Sequence, residues 1–167
     1  MKEVIVKDAD LQQAAMEGVD SFLQVLVKAI YDAIGGELTA ETMGELNNDQ
    51  LTLLAWDTLH TEVMDGGFVQ LIYNGYGPFI FKNPLAKVLR MWEMREPSKL
   101  IYEAHTLWLK HREVIEQDLD EVAFMALFEQ FPDFDNLDDQ FVEHEEEWVE
   151  DIAHYVDDHL DRFVKIE

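Results

Sequence analysis

The stretch that decides the fold is Phe134–Val164, FDNLDDQFVEHEEEWVEDIAHYVDDHLDRFV. Within it Phe141, Trp148, Ile152, Tyr155 and Phe163 recur at steps of seven, four, three and eight, and Val142, Val149, Val156 and Leu160 widen the stripe. An apolar stripe at that period predicts one long amphipathic helix. Asp139, Glu143, Glu146, Glu150, Asp157 and Asp161 follow at steps of four, three, four, seven and four. They therefore line the side of the helix away from the stripe. Glu145, Glu147, Asp151 and Asp158 flank that line.

Such a face has a stability cost. Like charges three or four residues apart destabilise a helix by about 0.2–0.5 kcal/mol per pair, and late acids meet the negative end of the helix dipole. Arg162 and Lys165 are the only local relief. The arrangement suggests a benefit outside stability. A duplex carries one charge per about 1.7 Å, hence roughly 26 phosphates over the ~45 Å length of a thirty-residue helix. Residues 134–163 hold twelve acids, about half that density.

Moving outward, charge is unevenly spread. The 167-residue chain carries 36 acids and 12 bases, net −24, where an ordinary small domain needs a magnitude of only about 2–8 for solubility. Residues 113–167 hold twenty acids and two bases, net −18, whereas residues 50–100 hold five of each. A negative field of this size repels DNA, RNA and anionic membranes and attracts basic partners. The chain is nevertheless 48% hydrophobic, with ten Phe, five Tyr and four Trp, so it has the material for a core and is not a disordered acidic tail.

Other helical signals precede the final one. Asp8 is placed to cap a helix carrying Leu11, Ala15, Phe22, Leu26 and Ile30 and stopped at Gly35-Gly36. Thr39 starts a short helical turn, and Asn47 with Gln50 makes a capping box for a helix running to Gly66-Gly67. Phe68–Tyr73 reads as a short helix ended by Asn74-Gly75, and Tyr76-Gly77-Pro78 as a loop. Asn83-Pro84 reads as a cap and first helical position of a helix ending near Met94, and Pro97-Ser98 as the start of the next. Residues 122–130 form a further piece, broken at Pro132. Val4-Ile5-Val6 is at most an extended arm. The expectation is an all-α bundle of about six to eight helices, one domain over residues 1–167, with residues 1–7 as an arm and 113–167 as the presented acidic region.

Chemistry is sparse. With no cysteine, disulfides, zinc ribbons, iron–sulfur ligation and thiol catalysis are excluded. Ser21 and Ser98 are the only serines and neither lies in a nucleophile elbow; no phosphate loop or dinucleotide fingerprint occurs. The six histidines include no Glu-x-x-His pair; Asp57/His60 and Asp151/His154 share the spacing but offer Asp. No cofactor, metal or catalytic residue is assigned, and a non-enzyme is expected. Met1 to Asp8 contains no apolar block of signal-peptide length, and the longest uncharged run, Gly66–Phe81, is too short and glycine-rich to span a bilayer. A cytoplasmic protein without membrane association is expected.

The segment Glu62–Gly77, EVMDGGFVQLIYNGYG, resembles the core motif of a bacterial family of acidic DNA-mimic proteins: Gly-Gly-Phe-x-Gln, an apolar pair, then Asn-x-x-Gly. Here these are Gly66, Gly67, Phe68, Gln70, Asn74 and Gly77, and the likeness continues through Asn83–Lys87. The resemblance implies an all-helical protein that binds a basic DNA-binding protein, such as a helix-turn-helix repressor, in competition with DNA. It implies a structural role for the motif, with Phe68, Leu71, Ile72 and Tyr73 in the core and Gln70 and Asn74 bonding backbone. The acids of the final helix (Asp139, Glu143, Glu146, Glu150, Asp157, Asp161) are the expected phosphate-mimicking contacts, read from their own pattern. Phe141, Trp148 and Tyr155 offer a means of forming a homodimer. Two other readings stay open: a small-molecule or enzymatic domain with a pocket near Trp56, His60, Phe68, Gln70, Tyr73 and Asn74, and an acidic immunity-like partner of another basic protein.

Overall fold

A glycine divides the first predicted helix. In the computed structural model, which describes residues 2–167, α1 (Asp8–Glu17) and α2 (Val19–Ala33) are separate because Gly18 sits at φ 133°, outside helical space. They pack against each other, α2 supplying Phe22, Leu23, Leu26, Val27 and Ile30 to the core while α1 supplies only Leu11 and Ala14. Asp8 is not the cap; Lys7 holds that position, and Asp8 is the first helical residue, accepting a hydrogen bond from Gln12 at 2.7 Å.

The expected capping box at Asn47 forms, and a second, not expected, opens the turn at Thr39. Thr39 and Thr42 bond each other's backbone at the start of α3 (Ala40–Met43). The Gln50 amide donates to Asn47 Oδ1 at 2.7 Å and the Asn47 amide to Gln50 Oε1 at 3.0 Å, opening α4 (Asn48–Tyr73). The same side chains then donate outward, Gln50 Nε2 to the Phe163 carbonyl and Asn47 Nδ2 to that of Arg162, both at 2.8 Å. The predicted arm is a strand: β1 (Ile5–Val6) pairs in parallel with β2 (Lys165–Ile166), with Val4 and Val6 buried. An apolar, β-branched arm buries two of its three side chains, Val4 and Val6, and satisfies its backbone by pairing rather than standing free, while Ile5 stays exposed.

The remaining helices are α5 (Gly77–Phe81), α6 (Leu85–Met91), α7 (Arg95–Ile115), α8 (Glu121–Gln130) and α9 (Asp135–Asp158), with 3-10 turns at Pro132–Phe134 and Leu160–Arg162. The fold is all-α, as the periodicity predicts. Three local expectations are corrected. Tyr76-Gly77-Pro78 begins α5 instead of forming a loop, and a Cβ on Gly77 would run into the Trp108 indole. Asn83 does not cap α6; its side chain donates back to the Phe79 carbonyl and Pro84 takes the cap position. That helix ends at Met91 and the next begins at Arg95, because Glu93 adopts φ 65° and turns the chain.

The chain divides into two units, each with its own core. One holds the described residues up to Leu54 with Glu146–Glu167, built around α1, α2 and residues such as Ile152, Val156 and Phe163. The other is Ala55–Glu145, where α5, α6 and α7 pack together and Phe68, Leu71, Ile72, Trp108, Phe134 and Phe141 are buried. The chain passes out of the first unit along α4 and back into it along α9. Among the described residues no helix is long and apolar enough to cross a membrane.

Candidate partner-binding surface

On α9, Leu137, Phe141, Trp148, Val149, Ile152 and Val156 are buried. One predicted member of the stripe is misplaced: Val142 is exposed, since it lies about 100° around the helix from Phe141 and falls on the outer arc. Phe141 and Trp148 are buried within their own chain and leave nothing for a second copy to cover. The Tyr155 hydroxyl is taken by Arg162 at 2.9 Å.

Asp139, Glu143, Glu146, Glu150 and Asp157 are all exposed, as is Asp161 in the 3-10 turn that follows. At about 100° per residue the five on α9 fall within roughly 40–60° of arc, over a length of about 27 Å. Glu147, Asp151 and Asp158 are exposed beside them. Partial burial, then Glu147, raises the Asp151 carboxyl above its ordinary value, a local sign of crowded negative charge.

Two acids of the same helix point the other way. Glu145, expected to flank the outer line, is half-buried; its Oε1 lies 2.7 Å from His60 Nε2, in a cluster where Trp56 stacks on His60 and leans on Phe141. Asp138 Oδ1 accepts the Phe68 backbone N–H at 2.9 Å. Burial pushes Asp138 up to about 6 against the lowering effect of that hydrogen bond, and Asp135 and Asp139 push it further. Sequence reasoning set Glu145 on the outer flank and did not single out Asp138. The signal was present: 134, 138, 141, 145, 148 and 152 alternate steps of four and three, so Asp138 and Glu145 occupy the apolar register.

The Asp138 contact explains the glycine motif. At Gly67, φ is 78° and the helical ladder of α4 breaks, freeing the Phe68 N–H at the start of a new helical segment. Asp138 fills the role of a cap from a distant element, and a Cβ on Gly67 would sit 2.5 Å from its Oδ2. Gly66 is needed because the Gln70 side chain lies across it. Gln70 and Asn74 do not bond backbone as expected. Gln70 Nε2 donates to Glu62 Oε2 and Asp65 Oδ2, both at 2.8 Å, and Asn74 Nδ2 reaches the same Glu62 oxygen at 3.1 Å. Two amides thus share one carboxylate, tying the turn closed. Phe68 is buried on Phe134, and the Tyr73 hydroxyl donates to the Leu119 carbonyl. The side chains suggested for a small-molecule pocket are spent in this way, on packing and on bonds within the chain.

An acidic all-helical chain whose long helix buries an apolar face and exposes a line of carboxylates has the features of a protein that imitates a polyanion. The comparison with known proteins makes this specific. Residues 44–159 match the family model described as DMP19-like protein, and the chain belongs to that family. It is 38% identical over 135 residues, 78% of its own length and 82% of the relative's, to "DNA mimic protein DMP19" of Neisseria meningitidis serogroup B, strain MC58. The residues matched by the family model include both the glycine motif and the whole of α9. DNA mimicry defines a binding family, not a class of enzyme.

Proposed function

We propose that this protein sequesters a basic DNA-binding protein, of the helix-turn-helix regulator type, by presenting the α9 carboxylates to the Arg and Lys side chains that hold DNA phosphates. The observation that carries the reading is the exposed line Asp139, Glu143, Glu146, Glu150, Asp157, continued by Asp161. From 139 to 157 the helix exposes seven acids. One DNA strand, at about 3.4 Å per phosphate, shows roughly eight over the same ~27 Å. A single helix face therefore approaches the charge spacing of one strand, and the remaining acids of the chain supply the surrounding field. The protein would displace DNA by mass action.

Capture from a lysate of the native host, read by mass spectrometry, should recover a DNA-binding protein whose operator binding is lost on adding this chain in a gel-shift titration. Recovery of a basic nuclease or other toxin would support the immunity-like reading instead. Reversing Glu143, Glu146, Glu150 and Asp157 to Lys should weaken capture by roughly a hundredfold or more, since hydrogen bonds to charged groups are worth ~1.5–3 kcal/mol each. Helicity by circular dichroism should be kept. Undiminished capture by this variant would place the contact elsewhere.

A further inference from the structure

The bases of this acidic chain are themselves gathered. Lys82, Lys87, Arg90, Arg95 and Lys99 fall within eighteen residues that contain only two acids, Glu93 and Glu96. A cleft of about 540 Å³ lies there, lined by Arg90, Arg95, Ser98, Lys99, Tyr102, Glu103 and Thr106. That volume falls within the range of small-ligand sites, about 300–1,000 Å³. Arg90, Arg95 and Lys99 are exposed and take part in no ion pair among the described residues, although acids outnumber bases threefold in the chain. Excess acid elsewhere has little effect here, because exposed charges beyond about 8 Å are largely screened at physiological salt.

The local build directs one end of the cleft toward an anion. Glu93 turns the chain at φ 65°, which sets Arg90 in the last turn of α6 beside Arg95 at the start of α7. The N-cap residue of α7, Met94, makes no side-chain hydrogen bond to its helix, so the Arg95 and Glu96 N–H groups add to the two guanidinium groups, less what the Glu96 carboxylate in the first turn offsets. Ser98 is not a ligand: it is buried and its hydroxyl donates to the Ala86 carbonyl at 2.6 Å, locking α7 to α6 beneath the cleft. Further along α7 the character changes. Tyr102, 48% exposed, follows Arg95 by seven residues, about 10 Å along the axis, and Glu103 stands next to it as an acceptor with no partner among the described residues.

We infer that this cleft binds a small phosphate ester carrying a planar ring, the nucleotide class. The phosphates lie at Arg90, Arg95 and Lys99, the ring rests on Tyr102, and Glu103 accepts a hydrogen bond from a hydroxyl or amino group at the ring end. Guanidinium pairs suit phosphate because their fork of donors matches its oxygens. Glu103 would oppose a second anionic group, so a polyanion running the length of the cleft is disfavoured, whereas a ligand charged at one end fits. The inference is independent of the α9 surface.

The test is calorimetric titration of the full chain with ATP, with inorganic phosphate and with adenosine. ATP should bind saturably, with a Kd of about 1 mM or below, and more tightly than either fragment. Arg90→Glu with Arg95→Glu should weaken ATP binding at least about tenfold. Tyr102→Ala should weaken ATP but not phosphate. Lys28→Glu, far from the cleft in sequence and already paired with Asp32, should change nothing. These side chains are exposed, so unfolding midpoints should stay near the parent's; if the double variant unfolds, Lys99→Ala supplies the same comparison. No saturable ATP binding, equal binding by the charge-reversed variant, or a change in sedimentation without a change in ATP binding would overturn the proposal, the last by marking a contact between copies.

Discussion

The outer and inner faces of α9 carry the same functional group for opposite purposes. Outside, Asp139, Glu143, Glu146, Glu150 and Asp157 are exposed with no hydrogen bond within the chain among the described residues. Inside, Asp138 caps the break at Gly67 and Glu145 holds His60. A carboxylate kept in water retains its charge cheaply and remains available; one drawn from water must be repaid by a hydrogen bond or accept a proton. The burial-raised pKa of Asp138 is the second case. The acid count alone therefore overstates the presented charge, and helical phase separates the two roles.

The largest expected effect, loss of partner capture on reversing four outer charges, attacks the outer face alone. The inner face breaks through the glycine it meets. Gly67→Ala must place a Cβ at φ 78° and against the Asp138 carboxylate. Strained φ and a lost cap together should destabilise the protein by about 2–4 kcal/mol in urea unfolding. A change under 1 kcal/mol would mean that the turn and Asp138 are not coupled. Asp138→Ala, which removes the cap but leaves the glycine unhindered, should cost less, about 1–2 kcal/mol near pH 4, where the carboxyl is protonated, and little or nothing above pH 6.5, where the loss of a buried charge offsets the lost cap.

Acidity sharpens the same contrast. The Asp138 carboxyl has a folded value of about 6 against an ordinary 3.8. The folded state holds this proton more tightly, so the group's contribution to stability is full below about pH 3.8 and is lost as pH rises through about 6. Asp138→Asn keeps an oxygen for the Phe68 N–H but cannot ionise. It should therefore be more stable than the parent above pH 6.5, by roughly 2 kcal/mol, with the difference vanishing towards pH 4. Outer-face repulsion also relaxes on acidification, but equally in both proteins. Parallel stability curves for parent and variant from pH 4 to 8 would refute the assignment.

Much of this was readable from residues, and the failures share a cause. The helix start at Thr39, the capping box at Asn47, the apolar face of α9 and the exposure of its outer line of acids follow from spacing, because neighbours along a helix are fixed by its geometry. Partners distant in sequence were not readable. Asp138 is seventy residues from Phe68 and Glu145 eighty-five from His60, and β1 finds β2 at the opposite end of the chain. The amides of Gln70 and Asn74 reach not backbone but Glu62, eight and twelve residues back along the chain. In a chain this acidic, composition hides which carboxylates are bonded. The basic cleft was hidden by the same average: residues 50–100 sum to zero because five bases gathered in 82–99, three of them lining the cleft, are offset by Glu93 and Glu96 among them and by Asp57, Glu62 and Asp65 earlier in the span.

The finest test uses two residues adjacent in sequence. Glu145 and Glu146 differ by about 100° of helical phase and by nothing in chemistry. Glu145→Ala leaves half-buried His60 without its partner and should destabilise by about 1–2 kcal/mol, with little effect on partner capture. Glu146→Ala removes one of several crowded outer charges, where like-charge pairs cost only about 0.2–0.5 kcal/mol, so its stability should stay within ~0.5 kcal/mol of the parent or rise slightly. Capture should weaken for Glu146→Ala and not for Glu145→Ala. Paired urea unfolding and titration against the captured partner would read both. If the two variants behaved alike in stability, phase would not distinguish the faces of α9; if they behaved alike in capture, binding would depend on total charge and not on the line of carboxylates.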